Sequence, residues 1–540
     1  MNWLTSRRLA IAIVVLIIGG AVAFYYQFGQ PLPTFREQAC GLPPEWLERI
    51  RDGYSPERSG EIAILPHTPA YLASGEGGWT HSGPWPYLQN VPLVWYGPGI
   101  IPTRGDVERP VTLADVVPTI GRLLKGVLRS EDGAALDEVA ELDAELLRSK
   151  RPRLVVVVVW DGGGWNVLRQ WPDAWPTLAR LGAEGISFTN ATVGSSPSVT
   201  PPVHTTLGTG RFPYAHGVTD ILVRDGERTV DSFLNGESSR FVKVPTLAER
   251  WDVQTRNKAK VGMVGYEPWH LGMIGQGAER EGGDRDDAAW VDVETNEWKT
   301  NPDFYRLPPS FSEAQGPEEE LARLDIEDGS PDQTWRGHRI LDDPSRIEET
   351  PAFIAYHGRL LTDLIEKEGY GSDATTDLLF TNFKQIDRLG HYFNMASPEV
   401  RDAVVESDRQ LGVLVDALDG SVGKGRWVMV VTADHGQQPD ADAIDGYGID
   451  GKELRRDIEE RFGPVIRSIW PTQVFLDAEK METLGVRVEE VARFIGGYRL
   501  RHNTARPDLL LFGAGRFSPG DRLFDLAIPA AQLPAITCER

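Results

Sequence analysis

Leu154-Val-Val-Val-Val-Val-Trp160, followed at once by Asp161, is the stretch on which the fold turns. It reads as a strand, and residues 377–381 and 427–432 are similar runs. Helical patterns such as 399–418 lie between such runs. Short β-branched runs alternating with helices predict an α/β fold, a mainly parallel sheet flanked by helices. Ligands of such sheets bind at the C-terminal ends of the strands. Asp161, Asp387 and Asp434 all stand at or just past such an end.

The chain has 540 residues, 41% of them hydrophobic, which describes a folded globular protein. Its formal net charge of -23 offers no basic face for a phosphate backbone, so binding of a nucleic-acid polymer is not expected. The acidic runs 279–287 and 318–320 read as solvated surface. Nothing in the sequence sets the oligomeric state.

Arg7 and Arg8 precede an uncharged run, residues 9–26, near the ~20 residues that span a bilayer. Arginines on that flank put the N-terminus in the cytoplasm and the rest of the chain outside, a single-pass protein of the cell membrane. Ala21-Val-Ala23 leaves a cleaved signal peptide and a secreted product as the other reading. The two cysteines, Cys40 and Cys538, sit at the ends of the exported part. An export route permits a disulfide between them, and two separate thiols are the alternative.

Four segments follow from composition. Residues 1–35 are anchor and linker. Residues 36–125 form a first segment, with a strand near 61–65, a glycine-rich loop ending at His81, a strand at 91–97 and a helix at 114–124. Residues 126–152 are a polar, helix-prone connector. Residues 153–540 are the main body, with an insertion or cap at 279–350 near the site mouth.

Carboxylates and imidazoles at strand ends suit a site for two metal ions, which can clamp both oxygens of an in-line phosphoryl displacement. Asp387 and His391 share a face if their stretch is helical, and a tight loop could also bring them together. Asp434 and His435 are adjacent and need a strand-end turn to point both ways. Thr200 precedes Pro201, which favours the first position of a helix, so Thr200 is expected as an N-cap beside the positive dipole end. That location suits a nucleophilic hydroxyl and a phosphate oxygen.

Trp175-Pro-Thr-Leu-Ala-Arg-Leu-Gly-Ala-Glu-Gly-Ile-Ser-Phe-Thr-Asn190, Thr200-Pro-Pro-Val-His204, Thr209-Gly210 and Pro213-Tyr-Ala-His-Gly217 together resemble the alkaline phosphatase superfamily, in its type I phosphodiesterase/nucleotide pyrophosphatase branch. The resemblance spans most of 40–125 and 154–440. It implies a hydrolase with two zinc ions about a phosphorylated threonine. Asp161, Thr200, Asp434 and His435 would hold one metal, and Asp387, His391 and a final histidine the other.

In the family that last histidine follows the Asp-His-Gly motif and precedes a Val-Pro-Leu strand and a Gly-Pro-Gly turn. Here the matching stretch, Gly78-Trp-Thr-His81 with Val91-Pro-Leu93 and Gly97-Pro-Gly99, comes before Asp161. The resemblance thus implies a circular permutation, with 126–152 joining the old ends and a Cys40–Cys538 disulfide stapling the new ones. His67, in Pro66-His-Thr-Pro69, is the rival ligand.

The branch's phosphate-holding Asn has no counterpart in His216-Gly-Val-Thr-Asp-Ile221. The Lys and Arg of monoesterase relatives have none in Val264-Gly-Tyr-Glu-Pro-Trp-His270. The first absence departs from the diesterase pattern; the second favours small phosphodiester substrates of the nucleotide type. A phosphomonoesterase, a phospholipid headgroup phosphotransferase and an inactive surface binding protein are the other readings.

Overall fold

The computed structural model describes residues 32–73, 80–125, 130–140, 151–292, 295–327, 329–339, 344–504 and 516–538. The apolar run 9–26, the glycine-rich residues 75–79 and parts of the connector lie outside them. Among the described residues no helix is long and apolar enough to cross a membrane.

Nine strands form the main sheet: β1 (Leu93–Tyr96), β2 (Gly105–Val107), β3 (Leu154–Trp160), β4 (Ile186–Phe188), β5 (Val261–Val264), β6 (Asp287–Asp292), β7 (Glu297–Lys299), β8 (Asp377–Phe383) and β9 (Trp427–Thr432). Their spatial order is β7-β6-β5-β8-β3-β9-β1-β4-β2. Five consecutive strands, from β6 to β9, are all parallel. β1 joins antiparallel to β9 and to β4, so the first segment is woven into the sheet and does not fold beside it.

The uninterrupted apolar run of β3 has a physical reason. All seven residues are buried. Val155, Val157 and Val159 face one core and Leu154, Val156, Val158 and Trp160 the other. A strand covered by helices on both faces has no wet side on which to alternate. One core receives α1 (Thr200–Thr209) through Val203 and Leu207. The other receives α2 (Pro351–Lys367) and α4 (Pro398–Leu418), with α3 (Gln385–Phe393) between them in sequence.

Part of the 279–350 stretch joins the sheet edge as β6 and β7. β6 has too few residues for a period to declare itself, and Trp290 and Val291 are buried there. A second, four-stranded sheet draws its strands from far apart, in the order Ile466–Trp470, Gln473–Leu476, Ile62–Pro66 and Phe524–Pro529. Beside it Cys40 and Cys538 form a disulfide across 498 positions, with Cα atoms 5.5 Å apart.

Candidate active site

The parallel strands β3, β8 and β9 end together, and the polar residues that follow them converge. Asp161 is the first residue past β3, Asn382 is the last but one of β8, and Asp434 and His435 lie just past β9. Gly162 has φ +70°, and a Cβ there would come within 2.9 Å of the Asp387 Cα. Only glycine lets the chain leave β3 while α3 approaches so closely. The Gly162 N–H also donates to Asp434 Oδ1 at 3.0 Å, tying the ends of β3 and β9.

Asp387 and His391 do lie on a helix, α3, with His391 Nε2 3.3 Å from Asp387 Oδ1. His81 Nε2 reaches the same oxygen at 3.4 Å. Its Nδ1 lies 3.2 Å from the Ser198 carbonyl, whose acceptance of the Nδ1–H frees Nε2 as a ligand. His435 Nε2 is 3.5 Å from Asp161 Oδ1 and 3.4 Å from Asp434 Oδ2, and its ring stacks on His81 at 3.6 Å. Donor atoms of Asp161, Asp387 and His435 lie within 4.8 Å of one another, as do those of His81, Asp387 and His391. His67 is elsewhere, with its Nδ1 2.6 Å from Asp525 Oδ1 at the edge of the four-stranded sheet.

Thr200 departs from expectation in one respect. It is the first residue of α1, and Val199, in extended conformation without a side-chain cap bond, is the N-cap. Pro201 and Pro202 have no N–H, so the first three helical positions offer only Thr200's own amide. Helix-terminus binding of an anion is therefore weaker here than the motif suggests.

Lys384 was not singled out by the sequence reading. Its buried Nζ lies 3.0 Å from Asp161 Oδ1, 2.8 Å from Asp387 Oδ2 and 3.1 Å from Thr200 Oγ1. Asn382 Nδ2 donates to Asp161 Oδ2 at 2.9 Å and lies 2.9 Å from His204 Nε2. The available signal was position: Lys384 directly follows an apolar strand and stands three residues before Asp387, a spacing that shares a helix face.

Burial pushes the Asp161 carboxyl up to about 7 against the pull of Lys384. It pushes Asp434 well above the usual carboxylate range, with Asp161 adding to the effect. Burial would raise Asp387 too, but Lys384, His391 and His81 together hold it well below that range. Desolvation lowers His81 to about 4 and His435 well below its ordinary value, so both imidazoles are neutral and carry lone pairs. Asp387 Oδ1, Asp434 Oδ2 and His435 Nε2 are buried without a hydrogen-bond partner. Buried groups of this kind are rarely left unsatisfied. Neutral imidazoles interleaved with carboxylates are the donor set of a zinc-type site, and the residues fit such an ion.

A profile of the type I phosphodiesterase / nucleotide pyrophosphatase family matches residues 155–499. A Myroides odoratus protein named calcium-transporting ATPase is 24% identical over 63% of this chain and 72% of its own. Alkaline phosphatase PafA of Elizabethkingia meningoseptica is 23% identical over 64% of this chain and 72% of its own. The crystal structure of wild-type PafA shares the fold, with TM-score 0.52 at 18% identity over 69% of this chain and 83% of that one. The chain belongs to the type I phosphodiesterase / nucleotide pyrophosphatase family, within the alkaline phosphatase superfamily.

Proposed function

We propose that this protein is a metal-dependent hydrolase of small phosphodiesters that works through a phospho-threonine at Thr200. The observation that supports this reading best is the Thr200 hydroxyl beside Lys384, which also pairs with Asp161, near buried imidazole and carboxylate atoms that lack hydrogen-bond partners. Asp161, Thr200, Asp434 and His435 would hold one divalent ion, and Asp387, His391 and His81 the other. Two zinc ions bound there would supply Lewis-acid charge to the phosphoryl oxygens and to the nucleophile.

Thr200 Oγ1 forms a bond to phosphorus as the bond to the leaving oxygen breaks. Water then cleaves the phospho-threonine and restores the hydroxyl. Lys384 donates to Oγ1, which favours its anionic form. Asn382 orients Asp161.

The 264–270 stretch favours diesters. It offers Glu267, a carboxylate whose field reaches Lys384 and Asp387, and no cation of its own. A doubly charged monoester would be repelled more than a singly charged diester. A monoesterase is the second reading, favoured by the relative named alkaline phosphatase.

The position of His81 ahead of Asp161, with β1 between β9 and β4, supports the circular permutation as part of this proposal. The disulfide supports an oxidising compartment. The protein then acts outside the cytoplasm, tethered by residues 9–26.

The test is paired hydrolysis of bis-p-nitrophenyl phosphate and p-nitrophenyl phosphate by the zinc-loaded full chain, with Thr200→Ala as control. Faster diester hydrolysis that the variant loses is the expected result. Faster monoester hydrolysis overturns the diester assignment. Zinc binding without hydrolysis of either overturns the enzyme reading.

A further inference from the structure

A second group of carboxylates lies at the opposite end of the sheet. Asp252 is in the last turn of the helix Leu247–Thr255, and Asp284 and Asp286 lie just before β6. β5 and β6 run parallel, with Gly262 opposite Asp287, and in the same direction as β8. The group therefore sits where the strands begin, whereas Asp161, Asp387 and Asp434 sit where they end. A strand as long as β8 separates the two ends by roughly 20 Å.

Ligand oxygens of Asp252, Asp284 and Asp286 lie within 4.8 Å of one another. Such proximity alone would say little. Asp252, however, is 3% exposed; its carboxylate reaches toward the other two, and its Oδ1 is buried with no hydrogen-bond partner. Asp284 Oδ1 is likewise buried and unpartnered, and Asp286 is 6% exposed.

Two arginines of this region pair with other carboxylates. Arg280 Nε binds Glu249 Oε1 at 2.6 Å, and Arg306 Nε binds Asp287 Oδ1 at 2.6 Å. Among the described residues no lysine or arginine forms an ion pair with any of the three carboxylates. Three ionised carboxylates this close are mutually repulsive, and placing one in the last turn of a helix adds the negative end of its dipole. Burial, with Asp284 and Glu249, pushes Asp252 up to about 8.

We propose that Asp252, Asp284 and Asp286 bind a calcium ion that braces the start of β5 and β6, separate from the catalytic metals. The donor set is oxygen only, with no imidazole or thiolate, which suits a hard divalent cation and not zinc. Calcium also tolerates the irregular geometry that three loosely spaced carboxylates offer.

The test uses the zinc-loaded full chain, so that the catalytic donors are already filled. Calcium chloride is titrated by calorimetry, and thermal unfolding is followed alongside. One binding event with Kd on the order of 10⁻⁴ M is expected, with a rise in Tm of several degrees at saturation. Asp252→Asn and Asp286→Asn should lose both signals and keep their zinc content and hydrolysis rate. Asp284→Asn, at a half-buried position, serves as the gentler variant should either of those fail to fold. No heat and no Tm shift in the native protein would overturn the proposal. So would a calcium response that survives all three substitutions.

Discussion

The two ends of the central strands are both crowded with acid, yet their carboxylates are compensated differently. At the C-terminal ends Asp161, Asp387 and Asp434 are interleaved with His81, His391 and His435, and Lys384 lies between Asp161 and Asp387. At the N-terminal ends Asp252, Asp284 and Asp286 lie against one another and near a further carboxylate, Glu249, with no imidazole among them. The contrast teaches that negative charge alone does not define a site; the neighbours decide what it can hold. Neutral imidazole selects softer transition metals, and a built-in ammonium, with His391 and His81, holds Asp387 ionised without metal while burial still raises Asp161 and Asp434. Carboxylates with neither depend on a hard cation or on protons.

Removing a donor from the first end should give the largest effect. His81→Ala is expected to lower bound zinc from two ions toward one and the hydrolysis rate by about 10²-fold or more, with His67→Ala unchanged in both. Metal analysis beside initial rates checks this, and equal losses in the two variants would erase the distinction between the histidines.

Lys384→Met should act next in size. In the presence of a chelator it leaves Asp161 and Asp387 without their cation, and breaking such a buried pair costs about 3–5 kcal/mol. Zinc loading should restore most of that stability while the rate stays about 10-fold or more below native. Denaturant unfolding with and without zinc separates the two effects. An equal stability loss in both conditions would mean that Lys384 does not stand in for metal charge.

Asp220 offers an intermediate case, a fully buried carboxylate bonded to Gln473 Nε2 at 2.6 Å and to the Ile221 N–H, with no cation. Burial raises it from 3.8 to about 6. The folded state therefore holds its proton more tightly than the unfolded chain. Its contribution to stability is fully present below pH 3.8 and is lost as pH rises to about 6. Asp220→Asn should flatten the stability profile between those values and leave it parallel to the native one above pH 7. Urea midpoints across pH 4 to 8 test this, and an unchanged slope between pH 4 and 6 would count against the burial argument.

The smallest expected effect belongs to chain order. A chain opened within 141–150 and rejoined near Cys40 and Cys538 should keep its zinc content and its rate within a few-fold. Loss of zinc from that refolded chain would show that the first segment needs its present connection to deliver His81.

Much of this architecture was legible. The three apolar runs ending near Asp161, Asp387 and Asp434 announced the parallel strands, and the spacing of Asp387 and His391 left a helix or a tight loop open, of which the helix is found. Other parts were not. β6 and β7 are too short for a period to appear within the irregular composition of 279–350. The four-stranded sheet joins 62–66 to segments more than 400 residues away. Thr200 was expected as the N-cap, but Val199 takes that position because extended backbone alone suffices there.

By itself the sequence determined the three central strands and the family, because these rest on apolar runs and on motifs of residues close together in the chain. Only the tertiary structure decided that His81 and not His67 reaches Asp387, that Lys384 joins Asp161 to Thr200, and that Asp252 meets Asp284 and Asp286. Those contacts come from how strands order themselves in the sheet. That order is set by packing two cores at once, and no local stretch encodes it.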